Sequence, residues 1–177
     1  MITKTFTELA SILAEADGLS ADEHSTLVRR IRIFDAKNLL PTLPGEGSKA
    51  GRLDLEGAAK AAVFVCLVDH GFDAELLRAL RVRMDAKHSF QEIETRFAKA
   101  IATVQSKKAV SLTISFLRKR GGEPWLGFTF EGSDLRNERV ERALDLHADA
   151  HGVSSKVRTT LDLNAVLEPV ISAYGAE

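Results

Sequence analysis

Apolar residues recur at steps of three and four through the first half of the chain. Phe6, Leu9, Ala10, Leu13 and Ala14 predict an amphipathic helix over residues 6–16, which Gly18 ends. Ser20 is a good N-cap, and Asp22 and Glu23 suit the positive end of the following helix. That second helix runs to about Lys37, with Leu27, Ile31 and Phe34 on its inward face. A third is expected from about Leu55 to Asp69. Farther on, Phe90, Ile93, Phe97, Ala100 and Val104 alternate three- and four-residue steps within a helix expected over residues 84–105. Such a row is either a dimer seam or the inward face of an ordinary core helix. From Ala109 the period becomes two. Val110, Leu112, Ile114 and Phe116 alternate with Ser111, Thr113 and Ser115, a half-buried strand. A turn at Lys119–Glu123 leads to a second strand from Trp125 to Phe130, so an antiparallel hairpin is expected. Leu135, Val140, Leu144 and Leu146 predict a helix over residues 135–150, with Gly152 as its cap. Val157, Thr159, Leu161 and Leu163 alternate again, and Asn164 is the expected cap of a last helix reaching Tyr174. The predicted fold class is α+β, with no internal repeat.

Residues 41–51 break this pattern. Two prolines and three glycines exclude a helix there, and Leu43 and Leu53 flank the segment as two short strands would. The segment reads as a hairpin with a Gly/Ser/Lys tip or as a plain linker. As a hairpin, it completes the order helix, turn, basic helix, wing, which is the layout of a winged helix-turn-helix. A Gly-rich tip carrying Ser48 and Lys49, with Arg52 at its foot, can approach a phosphate closely.

Arg32, Phe34, Asp35, Leu39, Leu40 and Pro41 fit the signature of the MerR family of DNA-binding regulators, which this segment resembles. Ile33 stands where that family has an aromatic residue. Asn38 stands where it has Gly, and Asn also tolerates a left-handed helix end. Gly51-Arg52-Leu53-Asp54, and then His70-Gly71-Phe72-Asp73-Ala74-Glu75-Leu76-Leu77, are similar to later parts of the same domain. The resemblance covers roughly residues 5 to 83. It implies a winged helix-turn-helix over residues 1–83, a linking and dimerisation helix over 84–105, and a separate C-terminal α+β module with an antiparallel sheet over 106–177. It also implies duplex DNA as the partner and a homodimer held by Phe90, Ile93, Phe97, Ala100 and Val104.

Composition changes this picture little. The chain has 177 residues, 45% hydrophobic and 28% charged, as an ordinary globular protein does, and a formal net charge of -1. Charge is uneven, however. Residues 24–52 hold Arg29, Arg30, Arg32, Lys37, Lys49 and Arg52 against Asp35 and Glu46, a local excess of four positive charges. No apolar run is long enough to span a membrane and no signal peptide is recognisable, so a cytoplasmic protein is expected. The single Cys66 excludes an internal disulfide framework and reads as a small buried residue. MerR-like metal sensors use cysteines beyond the dimer helix, where this chain has none. His147 and His151, four apart beside Asp145 and Asp149, are a weak metal pair that reads better as surface histidines. Gly45–Lys49 lacks the spacing of a phosphate-cradling loop, and no nucleophile–base pair is recognisable. No catalytic residue, metal or cofactor is therefore expected, and the chain is read as a non-enzyme.

The function expected is sequence-specific binding of double-stranded DNA in transcription regulation. His24, Ser25, Arg29 and Arg30 are the candidates for base edges, since an arginine fork matches the two acceptors of guanine. Arg32, Lys49 and Arg52 are the candidates for phosphates, and Lys37 and Ser48 are further DNA-binding candidates. The alternative is a ligand- or protein-binding module that uses the winged helix as a scaffold. For the C-terminal module, three readings stand: a protein or oligomer interface carrying Trp125 and Tyr174, a structural cap, or a pocket for a small-molecule effector.

Overall fold

The computed structural model describes residues 2–44, 51–87, 93–119, 124–132 and 153–175; for 116–119, 124–126 and 153–158 it describes the backbone alone. The architecture is α+β, with six helices and two small antiparallel sheets among the described residues. In chain order the elements are β1 (Lys4–Thr5), α1 (Phe6–Asp17), α2 (Ala21–Ala36), β2 (Arg52–Leu53), α3 (Leu55–Asp69), α4 (Ala74–Met84) and α5 (Arg96–Gln105). Then follow β3 (Val110–Lys119), β4 (Pro124–Gly132), β5 (Val153–Asp162) and α6 (Leu163–Gly175). The helix expected over 135–150, with His147 and His151, lies outside the described residues.

Side-chain caps set the helix starts. Thr5 and Ser20 each form a capping box, with Glu8 and Glu23 three residues on. Gly18, at φ 65°, turns the chain out of α1 in the left-handed region that glycine enters without strain. Asp54, Asp73 and Thr95 accept the first free N–H groups of α3, α4 and α5.

Helix α3 is the centre of the core. Gly57 through Phe64 are all buried, and Ala58, Ala59, Ala61 and Ala62 let its neighbours approach closely. A methyl at Gly57 would sit 3.1 Å from Leu53 Cδ2 and 3.3 Å from the Pro41 carbonyl, so the chain passes close over this glycine. Phe34 of α2 meets Phe64 of α3 edge to face, with ring centroids 5.9 Å apart.

The larger sheet has the order β4-β3-β5, antiparallel throughout. Val110, Leu112 and Ile114 are buried, on the apolar face that the alternation predicted. This chain's own helices α5 and α6 pack against β3, and Phe97 of α5 reaches Phe130 of β4 at 6.0 Å.

Three expectations are corrected here. The helix expected over 84–105 is broken. Helix α4 ends at Met84, residues 85–87 and 93–95 are not helical, and α5 starts only at Arg96. Phe97, Ala100 and Val104 are buried in the core of their own chain, and Ile93 is 91% exposed. These four do not form one outward seam, and Phe90 lies outside the described residues. Second, Asn164 lies inside α6 and does not cap it. Its Oδ1 accepts from the Val110 N–H at 2.7 Å and its Nδ2 donates to the Lys108 carbonyl at 2.9 Å. Asp162, one residue before the helix, takes the cap role by accepting the Asn164 N–H. Third, Tyr174 is buried rather than offered to a partner. Its hydroxyl donates to the Leu53 carbonyl at 2.9 Å.

That last bond belongs to a wider contact. Leu163, Leu167, Val170 and Tyr174 of α6 are buried, and α6 packs on α1, α3 and α5. The apolar core is thus continuous from α1 through β3 to α6, across the boundaries expected near residues 83 and 105.

Candidate nucleic-acid interface

Helix α2 turns Leu27, Ile31 and Phe34 inward and leaves Asp22, Ser25, Thr26, Arg29, Arg32, Ile33 and Ala36 exposed. These residues recur every three to four positions, so they share one outward side. Charge divides that side along its length. The first turn carries Asp22 and Glu23, whereas Arg29, Arg32 and the exposed C-cap Lys37 occupy the second half.

The residues singled out from sequence fall into three groups. Ser25, Arg29, Arg32 and Lys37 are exposed, and none of the three cations forms an ion pair with a described residue. The Ser25 hydroxyl donates to the Ala21 carbonyl one turn back, at 3.1 Å. A second group is engaged within the chain. His24 Nε2 lies 3.1 Å from the Ser11 hydroxyl of α1. Arg30 pairs with Asp69 of α3 at 2.5 Å. Arg52 donates to the Thr3 carbonyl at 3.2 Å from its half-buried place in β2. These three side chains are tied to other elements of the chain, and Arg30 keeps 37% of its side chain exposed. The third group, Ser48 and Lys49, lies outside the described residues.

The end of α2 is fixed from another direction. Asn38 adopts φ 53°, the left-handed setting anticipated for it, and the Leu39 N–H bonds back to the Phe34 carbonyl. The Asn38 carbonyl accepts from Arg81 of α4. Arg78 is exposed one turn before Arg81, so α4 brings a second set of cations to the Lys37 end of α2. The sequence reading stopped its basic patch at residue 52 and missed these arginines. The signal was there: Leu77, Leu80 and Met84 mark the buried side of α4 and leave Arg78 and Arg83 outside it.

Leu43 and Arg52 exchange both backbone hydrogen bonds, at 2.8 and 2.9 Å, and Arg52 and Leu53 pair with Thr5 and Lys4. Leu43 and Arg52 thus form one antiparallel bridge flanking residues 45–50, which lie outside the described residues.

Titration shifts near this face come from the caps. The Thr5 backbone N–H, and then its hydroxyl, hold the Glu8 carboxyl below its ordinary value, and Ser20 does the same for Glu23 through its hydroxyl first. Burial pushes the Cys66 thiol up, which suits a packing role. Among the described residues no group of three His, Cys, Asp or Glu side chains is placed to hold a metal ion, and no helix is long and apolar enough to cross a membrane. A pocket of about 200 Å³ between α5 and α6 is lined by Val104, Gln105, Lys107, Asn164, Glu168, Ile171 and Ser172. Its ion pair, Lys107–Glu168, is exposed.

Comparison with models of known families and with curated proteins gave no match.

Proposed function

We propose that the N-terminal part of this chain is a winged helix-turn-helix that binds double-stranded DNA, and that the protein regulates transcription. The observation that carries the reading is the outward side of α2. Arg29, Arg32 and Lys37 stand there unpaired by any described residue, beyond a tight turn from α1 and beside a strand pair that closes a Gly/Ser/Lys loop. In this reading α2 enters the major groove, with Arg29 and Ser25 toward base edges. Arg32, Lys37 and, from α4, Arg78 hold phosphates and fix the register. Asp22 and Glu23 repel the DNA backbone at the first turn of α2, so its phosphate contacts belong to the second half, at Arg32 and Lys37. Lys49 keeps its expected phosphate role, and Ser48 stays a DNA-binding candidate.

The test is salt-dependent binding to pooled genomic duplex. Arg29→Ala should cost about 1–3 kcal/mol at a selected site and little on random DNA, whereas Lys37→Ala should weaken both and reduce the salt slope by about one. Absence of any salt-sensitive shift would refute the proposal.

A homodimer belongs to the same proposal, but α5 does not supply its seam. Ile93, exposed ahead of α5, is the seam residue that remains available among the described ones. Light scattering at tens of micromolar decides that point. A second reading, a protein-binding module on the same scaffold, is favoured by Ile33. It is 42% exposed on the last turn of α2, beside Arg32, where an apolar side chain fits a protein partner better than a phosphate.

A further inference from the structure

Helix α6 is held at both ends by polar bonds to distant elements. At its start, Asn164 grips the first residue of β3 and the Lys108 carbonyl just before it. Near its end, the Tyr174 hydroxyl donates to the Leu53 carbonyl, and the Lys4 ammonium lies 5.4 Å from the Tyr174 ring centroid. Lys4 and Leu53 are themselves a cross-strand pair of β1 and β2, and Arg52, the preceding residue, forms a bridge with Leu43. Thirteen residues of helix, roughly 20 Å, therefore connect the three-stranded sheet to the short strands behind α1. Those strands are also anchored by the buried Leu53, the Arg52 bond to the Thr3 carbonyl and the Thr5 capping box, but they are short. Each is two residues long, and a ribbon of that length is not stable by itself.

We infer that Tyr174 is a positioning residue, through which α6 sets the pairing of β1, β2 and Leu43, so that the sheet end of the chain governs how the N-terminal part holds DNA. The functional half of this inference rests on the DNA reading above; the mechanical half does not. The hydroxyl is the part that matters. The ring packs in the core, and the hydroxyl adds a donor to a Leu53 carbonyl that also belongs to the β1–β2 pair, so losing it weakens that pair at its buried end.

The experiment compares Tyr174→Phe, which keeps the ring, with Val170→Ala, which loosens the same helix by packing alone. Amide exchange at Leu43 and Arg52, whose N–H groups are both in the strand pair, should speed up about tenfold in Tyr174→Phe. Val170→Ala should lower Tm and raise exchange along α6 and α3 more than at the strand pair. With pooled duplex, Tyr174→Phe should weaken binding about five- to tenfold with a flatter salt slope, while the ratio of selected-site to random-site affinity stays unchanged. Unchanged exchange at Leu43 and Arg52 would overturn the positioning role whatever the DNA result. Faster exchange with the same DNA affinity and slope would overturn the link from strand pair to DNA. If the unmutated protein binds no duplex, the DNA reading itself fails, and faster exchange in Tyr174→Phe would still support the mechanical half.

Discussion

Lys60 offers the sharpest test of how the core is held. Its side chain is 4% exposed, and its ammonium bonds Glu56 Oε1 at 2.8 Å and Asp85 Oδ1 at 2.5 Å. The two carboxylates are far more open, at 32% and 38%. This asymmetry decides which partner can be lost. Removing the lysine as Lys60→Met leaves two acids that water can reach and fills the space with an unbranched apolar chain. The cost should stay within about 1 kcal/mol, as for the loss of an exposed pair. Neutralising both acids, as Glu56→Gln with Asp85→Asn, leaves the buried ammonium without a counter-charge, which costs about 3–5 kcal/mol. Each acid removed alone leaves the other in place and should cost about 1 kcal/mol. The double variant should therefore exceed the sum of the singles by about 1–3 kcal/mol. Urea unfolding with a shared m-value measures all four. The reasoning fails if Lys60→Met is the most destabilised of the set, or if the two acid substitutions simply add.

Other expectations follow from single residues. Phe97→Asp should prevent folding, because the charge would enter the core, and Phe97→Ala should cost about 3–5 kcal/mol; a well-folded Phe97→Asp monomer by circular dichroism and light scattering would return α5 to a dimer seam. Asn38→Gly should raise stability by up to about 1 kcal/mol in thermal unfolding, and Asn38→Ala should lower it by about as much, because only the left-handed setting is at stake. Glu8 titrates below its ordinary value of 4.5, so its capping bonds stabilise the fold above that pH and are lost as the pH falls through the lowered value. Glu8→Gln should thus be less stable than the parent near pH 7 and match it near pH 2 in acid titration; equal stability at both would show that the cap contributes nothing.

What the sequence disclosed follows the range of the interactions involved. The starts of α2 and α3, the end of α1 and the left-handed setting of Asn38 are written in residues three or four positions apart, and all were readable. Interactions at long range were not. Arg30, His24 and Arg52 look like free surface groups because their partners lie 39, 13 and 49 positions away. Phe97, Ala100 and Val104 show why spacing alone misleads at α5. The same three- and four-residue steps describe a seam for a second copy and a face for one's own sheet, and periodicity carries no information about which surface will cover it. Asn164 failed for a related reason: Asp162 and Asn164 both suit a helix start, and only the Val110 N–H decides which one caps. On α2, sequence could not separate Arg29 and Arg32, which face out, from Arg30, which ties the helix to α3.

The bond between Tyr174 and Leu53 joins residues 121 positions apart, and that separation shapes how the protein is made. A ribosome exposes α1 to α4 long before α6 emerges. During that interval the side of α3 later covered by Leu167 and Val170 faces water, next to strands that lack their clamp. Closing so long a loop is slow. The nascent N-terminal part is therefore expected to depend on chaperone cover until residues 163–175 arrive, and truncated products ending before α6 should be degraded rather than accumulate as a small, functional fragment.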